Sequence, residues 1–101
     1  MDTEQLITHG RARFEHSAAR RLLKEKYQAK LTFAHAGGMS RAAPETITLL
    51  SLYDDQSIVI QDLYENPVRI NATELCEIMR LRWQEQMTAW LIEYDQLSKN
   101  R

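Results

Sequence analysis

Apolar residues recur at helical spacing near both ends of this chain and alternate with polar ones in between. In the last third, Cys76, Trp83, Trp90 and Leu97 fall seven apart, with Met87 and Tyr94 filling between them. That period is the period of a helix–helix seam and predicts one long helix over 72–98. Its start is written locally. Asn71 can cap the free N–H groups, Glu74 can reach back to the cap, and Ile70 can pack on Leu75. Ile78, Leu81, Leu91 and Ile92 lie on a second flank, so the apolar arc is wide enough to meet two surfaces.

The first element reads as a helix over 3–36. Asp2 with Gln5 fits a capping box. Ala12, Ala19, Leu23, Tyr27, Leu31 and Ala34 recur at helical spacing, and Phe14, Ala18 and Leu22 widen the stripe. Gly10 weakens its first turns by about 1 kcal/mol relative to Ala. The pair Gly37-Gly38 reads as its stop. Leu23, Tyr27 and Leu31 would lay this helix antiparallel on one face of the last.

The middle, 39–70, is mixed. Pro44-Glu45 suits a first helical turn, while the β-branched run Thr46-Ile47-Thr48 suits a strand. The segment 44–52 admits both readings, and a short helix is the one taken. Ser57–Gln61 alternates as a strand does, Val68–Ile70 reads as a second, and Tyr64–Pro67 is the turn between them. Two strands alone are marginal, so this hairpin must pack on helices or pair with another edge. The expected architecture is a single α+β domain over 1–101. Two long antiparallel helices flank a compact middle holding a short helix and a small β-hairpin.

Composition narrows the function. With 101 residues, 44% of them hydrophobic, the chain can bury a core but not a deep substrate cavity as well. Only three Gly and two Pro favour long regular elements. A single cysteine excludes an internal disulfide, and Cys76 lies on the apolar side of the last helix, where a small core residue belongs. No apolar run is long enough to cross a membrane. The polar N-terminus does not read as a signal peptide, which places the protein in the cytoplasm.

The net charge of −1 hides a polarity. Residues 10–30 carry seven Lys/Arg against two Glu, a local sum of +5, and residues 42–68 carry five acids and no base, a local sum of −5. The basic side chains Arg13, Arg20, Arg21 and Lys24 can form a strip able to contact phosphates. A solvated outer helix face has the same composition.

Catalytic chemistry finds little support. His9 and His16 are seven apart, too far along a helix for one ion without other ligands, and His35 suits a helix end. Asp54-Asp55 and Asp62 with Glu65 occupy turns, where Asp is favoured for backbone reasons. No nucleophile elbow or phosphate-cradling loop is present. No enzyme activity, cofactor, metal or small-molecule substrate is expected. The candidate partner-binding residues are Ile78, Leu81, Trp83, Trp90, Leu91 and Ile92.

His35–Met39, Ala43-Pro44-Glu45, Asp62–Val68 and Trp90–Tyr94 together give the chain a resemblance to small proteins encoded by large tailed bacteriophages. The resemblance covers most of the chain. It implies a phage origin and a role in virion assembly or in handling a host factor, and it assigns no functional residue. The expected function is a non-enzymatic protein-interaction component, a phage structural or assembly protein acting through helix packing. A homo-oligomer or a protein partner is expected, in the bacterial cytoplasm or the virion. Two alternatives stay open: an accessory protein that binds nucleic acid through its basic helix, and a small inhibitor or adaptor of a host protein.

Overall fold

The computed structural model of the protein describes residues 2–99, apart from the side chains of residues 6, 8–10 and 12. The order is α1 (Thr3–Ala29), β1 (Thr32–His35), β2 (Gly38–Arg41), α2 (Pro44–Ser51), β3 (Ser57–Gln61), β4 (Pro67–Asn71) and α3 (Ala72–Lys99). Among the described residues the fold is α+β, with three helices and two separate two-stranded antiparallel sheets.

Helix α1 begins with a complete capping box. Asp2 Oδ1 accepts from the Gln5 backbone N–H at 2.9 Å, and Gln5 Oε1 accepts from that of Asp2 at 3.2 Å. The helix passes through Gly10 and ends at Ala29, short of the expected residue 36. Burial just beyond Ala29 explains the early stop. Leu31 and Phe33 are both buried, while Ala34 is exposed. An extended chain places alternate residues on one face. A helix would turn them about 200° apart.

The glycine pair therefore serves a hairpin and not a helix stop. His35 pairs with Gly38, so Ala36 and Gly37 are the two central residues of the turn between β1 and β2. Their φ angles of 52° and 85° are both positive, as the tight turn that matches strand twist requires. Gly38 is needed for a different reason. A Cβ there would stand 2.9 Å from Val68 Cγ2 and 3.0 Å from Asp62 Oδ2, so only glycine lets the second hairpin approach. His35 accordingly sits in a strand and not at a helix end. The fold has two hairpins where one was expected.

The segment 44–52 takes the helical reading as far as Ser51, with Pro44 in the first turn. Thr48 accommodates its β-branch by donating its hydroxyl to the Pro44 carbonyl at 2.9 Å. Strands β3 and β4 pair in register from Ser57↔Asn71 to Gln61↔Pro67. Glu65 takes a φ of 65° in the turn between them. Asp62 ties the two hairpins together. Its carboxylate accepts from the backbone N–H groups of Met39 (3.2 Å), Tyr64 (2.9 Å) and Asn66 (3.0 Å). The Leu63 N–H donates to the Met39 carbonyl at 2.8 Å. These donors, that of Asn66 foremost, hold the Asp62 carboxyl below the usual carboxylate range.

The core forms where α2, both hairpins and the start of α3 converge. Leu50, Leu75 and Met79 are fully buried at its centre, with Leu31, Phe33, Ile70 and Cys76 around them. Ile70 and Leu75 are both in this core, and Asn71 Oδ1 accepts from the Glu74 N–H at 2.9 Å, which fixes the entry to α3. The molecule is elongated, 65 × 24 × 19 Å, because α1 and α3 each run far beyond this head.

Candidate protein-interaction surface

Helix α1 packs against α3, and polar side chains join them along their length. Near the head, Arg82 Nη1 donates to the Lys30 carbonyl at 3.2 Å and the guanidinium lies 5.1 Å from the Phe33 ring centre. Further out, Glu93 Oε1 accepts from both Lys26 Nζ (2.9 Å) and the Tyr27 hydroxyl (2.5 Å). Beyond that, Arg20 stacks over the Tyr94 ring at 5.7 Å. The shared hydrogen bonds, Tyr27's first, hold the Glu93 carboxyl below its ordinary range. The Glu93 carboxylate in turn raises the Tyr27 phenol and the Lys26 ammonium above theirs.

The six apolar residues singled out on α3 separate into two groups. Ile78 and Trp83 pack against the core, and Trp90 is half-buried with its Nε1 enclosed and without a hydrogen-bond partner. Leu81, Leu91 and Ile92 are exposed, at 72%, 58% and 56%. The second hairpin does not cover that flank, and neither tryptophan stands out as a free anchor.

Helix α1 divides in the same way. Tyr27 is buried and Leu23 half-buried, whereas Phe14 and Leu22 are exposed at 72% and 61%. Phe14 and Leu22 belong with Ile7, also exposed, to an outer stripe of α1 and do not widen the face that meets its neighbour. Helical periodicity could have separated the two stripes, since Ile7, Phe14 and Leu22 repeat at seven and eight residues, offset from Leu23 and Tyr27. Arg13, Arg20, Arg21 and Lys24 are all exposed, Arg20 being the one spent on Tyr94. Arg13, Arg20 and Lys24 share one side of the helix and Arg21 lies nearer the outer stripe.

The residues with catalytic potential are employed or dispersed. Asp62 holds the hairpin turn, and Asp55 accepts from Asn71 Nδ2 at 2.8 Å. His9 lies outside the described side chains, while His16 is half-buried on α1 and His35 half-buried on β1. Among the described residues no group of three or more His, Cys, Asp and Glu gathers as a metal site requires. A cleft of about 220 Å³ opens between the end of α2 and the first turns of α3, lined by Tyr53, Asp54, Thr73, Cys76, Glu77 and Arg80 among others. That is below the usual size of small-molecule pockets. Cys76 is buried beside it, its Sγ 3.7 Å from the Ile47 carbonyl oxygen. Among the described residues no helix is long and apolar enough to cross a membrane.

No protein-family model matches the chain, and no curated protein or solved structure is significantly similar to it.

Proposed function

We propose that this chain is a non-enzymatic protein-interaction component, a structural or assembly protein of a bacteriophage acting in the host cytoplasm or in the virion. The observation that carries the reading is the set of large apolar side chains, Leu81, Leu91 and Ile92, left exposed along one long helix. Exposed apolar residues scattered singly are ordinary, but a series along a 28-residue helix is what a partner covers. The two long helices run antiparallel as a hairpin that presents this surface. The order of contacts supports that arrangement, since Lys30 meets Arg82, Tyr27 meets Glu93 and Arg20 meets Tyr94.

The test is incorporation into phage particles. The wild-type chain is expected at stoichiometric copy number in purified virions or assembly intermediates. A variant with serine at 81, 91 and 92 is expected to keep its circular dichroism and melting temperature but to be lost from the particles. Normal incorporation of that folded variant defeats the proposal.

A second reading is favoured by the exposed basic side chains of α1. Arg13, Arg21 and Lys24 are available to phosphates, with Arg20 beside them. On this reading, affinity for DNA or RNA falls steeply with salt and is lost on charge reversal at Arg20 and Arg21. Fluorescence anisotropy with a labelled oligonucleotide decides it, and no binding at low salt removes it.

A further inference from the structure

The two sides of the α1–α3 pair differ in charge. Arg20 meets the Tyr94 ring on one side, and Lys26 meets Glu93 on the other. Helix geometry separates them, since Arg20 and Lys26 fall about 60° to either side of the half-buried Leu23. On the Lys26 side the ammonium is paired with a carboxylate, and Glu15 falls there too. On the Arg20 side, Arg13 stands seven residues before it and Lys24 four after, with Ser17 between. The three acids of α1, Glu4, Glu15 and Glu25, all fall elsewhere round the helix. Arg13, Arg20 and Lys24 are exposed, and among the described residues none of them forms an ion pair.

The neighbouring edge of α3 is aromatic and apolar. Tyr94 is 37% exposed with Arg20 against its ring, and Leu91, one turn earlier on the same side, is exposed as well. The adjacent acid, Asp95, is turned about 100° round the helix from Tyr94. The result is a sided groove. Cations run for about 16 Å along α1, and a ring and an aliphatic side chain border them on α3. The head closes one end with charge of the other sign, since residues 31–79 hold seven Asp/Glu against Arg41 and Arg69, a sum of −5.

We propose that this groove binds a single-stranded nucleic acid, with phosphates along Arg13, Arg20 and Lys24 and a base against Tyr94. A row of cations beside an exposed ring is how proteins hold single strands, the charges tracking the backbone and the ring stacking a base. A duplex offers its phosphates but keeps its base faces stacked inside, so it has no use for Tyr94 and Leu91. An acidic protein would satisfy the cations and leave the ring without a planar partner. The acidic head repels the strand and confines it to the paired helices. The inference rests on the basic-helix reading above and narrows it to one strand class and one side of α1. Arg21, on the far side of Lys24 from Arg20, takes no direct part.

The experiment is fluorescence anisotropy of the full chain with three labelled probes: oligothymidine, a DNA duplex of equal phosphate number, and polyglutamate. Two variants carry the same change in charge. Arg13→Glu with Lys24→Glu lies on the strip, and Arg11→Glu with Arg21→Glu lies off it. A third, Tyr94→Leu, removes the ring and keeps an apolar side chain. Circular dichroism checks that all three fold. Wild type is expected to prefer oligothymidine to both other probes, with affinity falling as salt rises. The strip variant is expected to lose at least about tenfold and the off-strip variant less than about threefold, because screening weakens charges away from the contact. Tyr94→Leu is expected to lose at least about fivefold on oligothymidine and to leave duplex and polyglutamate binding unchanged. No binding of either nucleic acid at low salt removes the basic-helix reading and this inference together. Equal or tighter binding of duplex, or an off-strip variant as weak as the strip variant, overturns the inference and leaves that reading standing. Equal or tighter binding of polyglutamate, or a Tyr94→Leu variant that binds oligothymidine as wild type does, overturns the inference as well.

Discussion

Tyr27 and Glu93 meet across 66 positions of sequence, the phenol hydroxyl donating to the carboxylate at 2.5 Å. Lys26 shares the same oxygen, so one acid ties α1 to α3 midway along their shared length. The direction of each shift fixes the pH behaviour. Glu93 titrates below its ordinary range, so its contribution is present above the unfolded value and is lost as pH falls through the folded one. Tyr27 and Lys26 titrate above theirs, so their contributions are present below the unfolded values and are lost as pH rises. Melting temperature is therefore expected to decline below about pH 5 and again above about pH 10. Glu93→Gln should flatten the alkaline limb and make the acid limb shallower, with Asp62 still contributing on the acid side. Thermal melts followed by circular dichroism across pH check this. A variant with the wild-type profile contradicts the assignment.

The core and the exposed flank of the same helix should answer very differently to truncation. Leu75→Ala removes a fully buried side chain and is expected to cost about 2–5 kcal/mol. Leu81→Ala, six residues on and mostly exposed, is expected to stay within about 0.5 kcal/mol. Urea unfolding of dilute, monomeric protein gives both numbers.

Neighbouring glycines should also differ. Gly37→Ala meets no atom within 4 Å and bears only the strain of its positive φ, about 1–2 kcal/mol. Gly38→Ala must displace Val68 and Asp62 and loosens the tie between the hairpins. The expected order of denaturation midpoints is wild type, then Gly37→Ala, then Gly38→Ala.

Cys76 provides a test of packing that needs no mutation. Its thiol is buried between α3 and α2. A thiol reagent is expected to label native protein slowly and urea-unfolded protein fast. Equal rates would contradict the burial of this helix face.

Local signals carried much of this fold. The capping box at Asp2 and Gln5, the Asn71 entry to α3 and the alternation of Ser57–Gln61 are each complete within a few residues. The β1–β2 hairpin was hidden because Leu31 and Ala34 also satisfy a helical period, and paired glycines serve helix ends and tight turns equally. What decides between them is the approach of Gly38 to Val68 and Asp62, a contact across more than twenty positions. The surface was legible in the same partial way. Periodicity located the apolar residues of α1 and α3 but not which of two stripes met the neighbouring helix. The Tyr27–Glu93 pair, which fixes that choice, leaves no local trace.

The complete capping box at Asp2 has a mechanical consequence. It holds the far end of α1 helical, so the helix acts as a stiff arm about 40 Å long, rooted at Lys30 and braced where Glu93 grips Lys26 and Tyr27. A pivot of about 10° at the root moves the distal tip by about 7 Å, given that length. A further contact, Arg20 over the Tyr94 ring, sits about 15 Å from the root, so more than half of the arm extends beyond it. Loosening these contacts would swing Ile7 and Phe14 while Leu50, Leu75 and Met79 stay in place at the centre of the core.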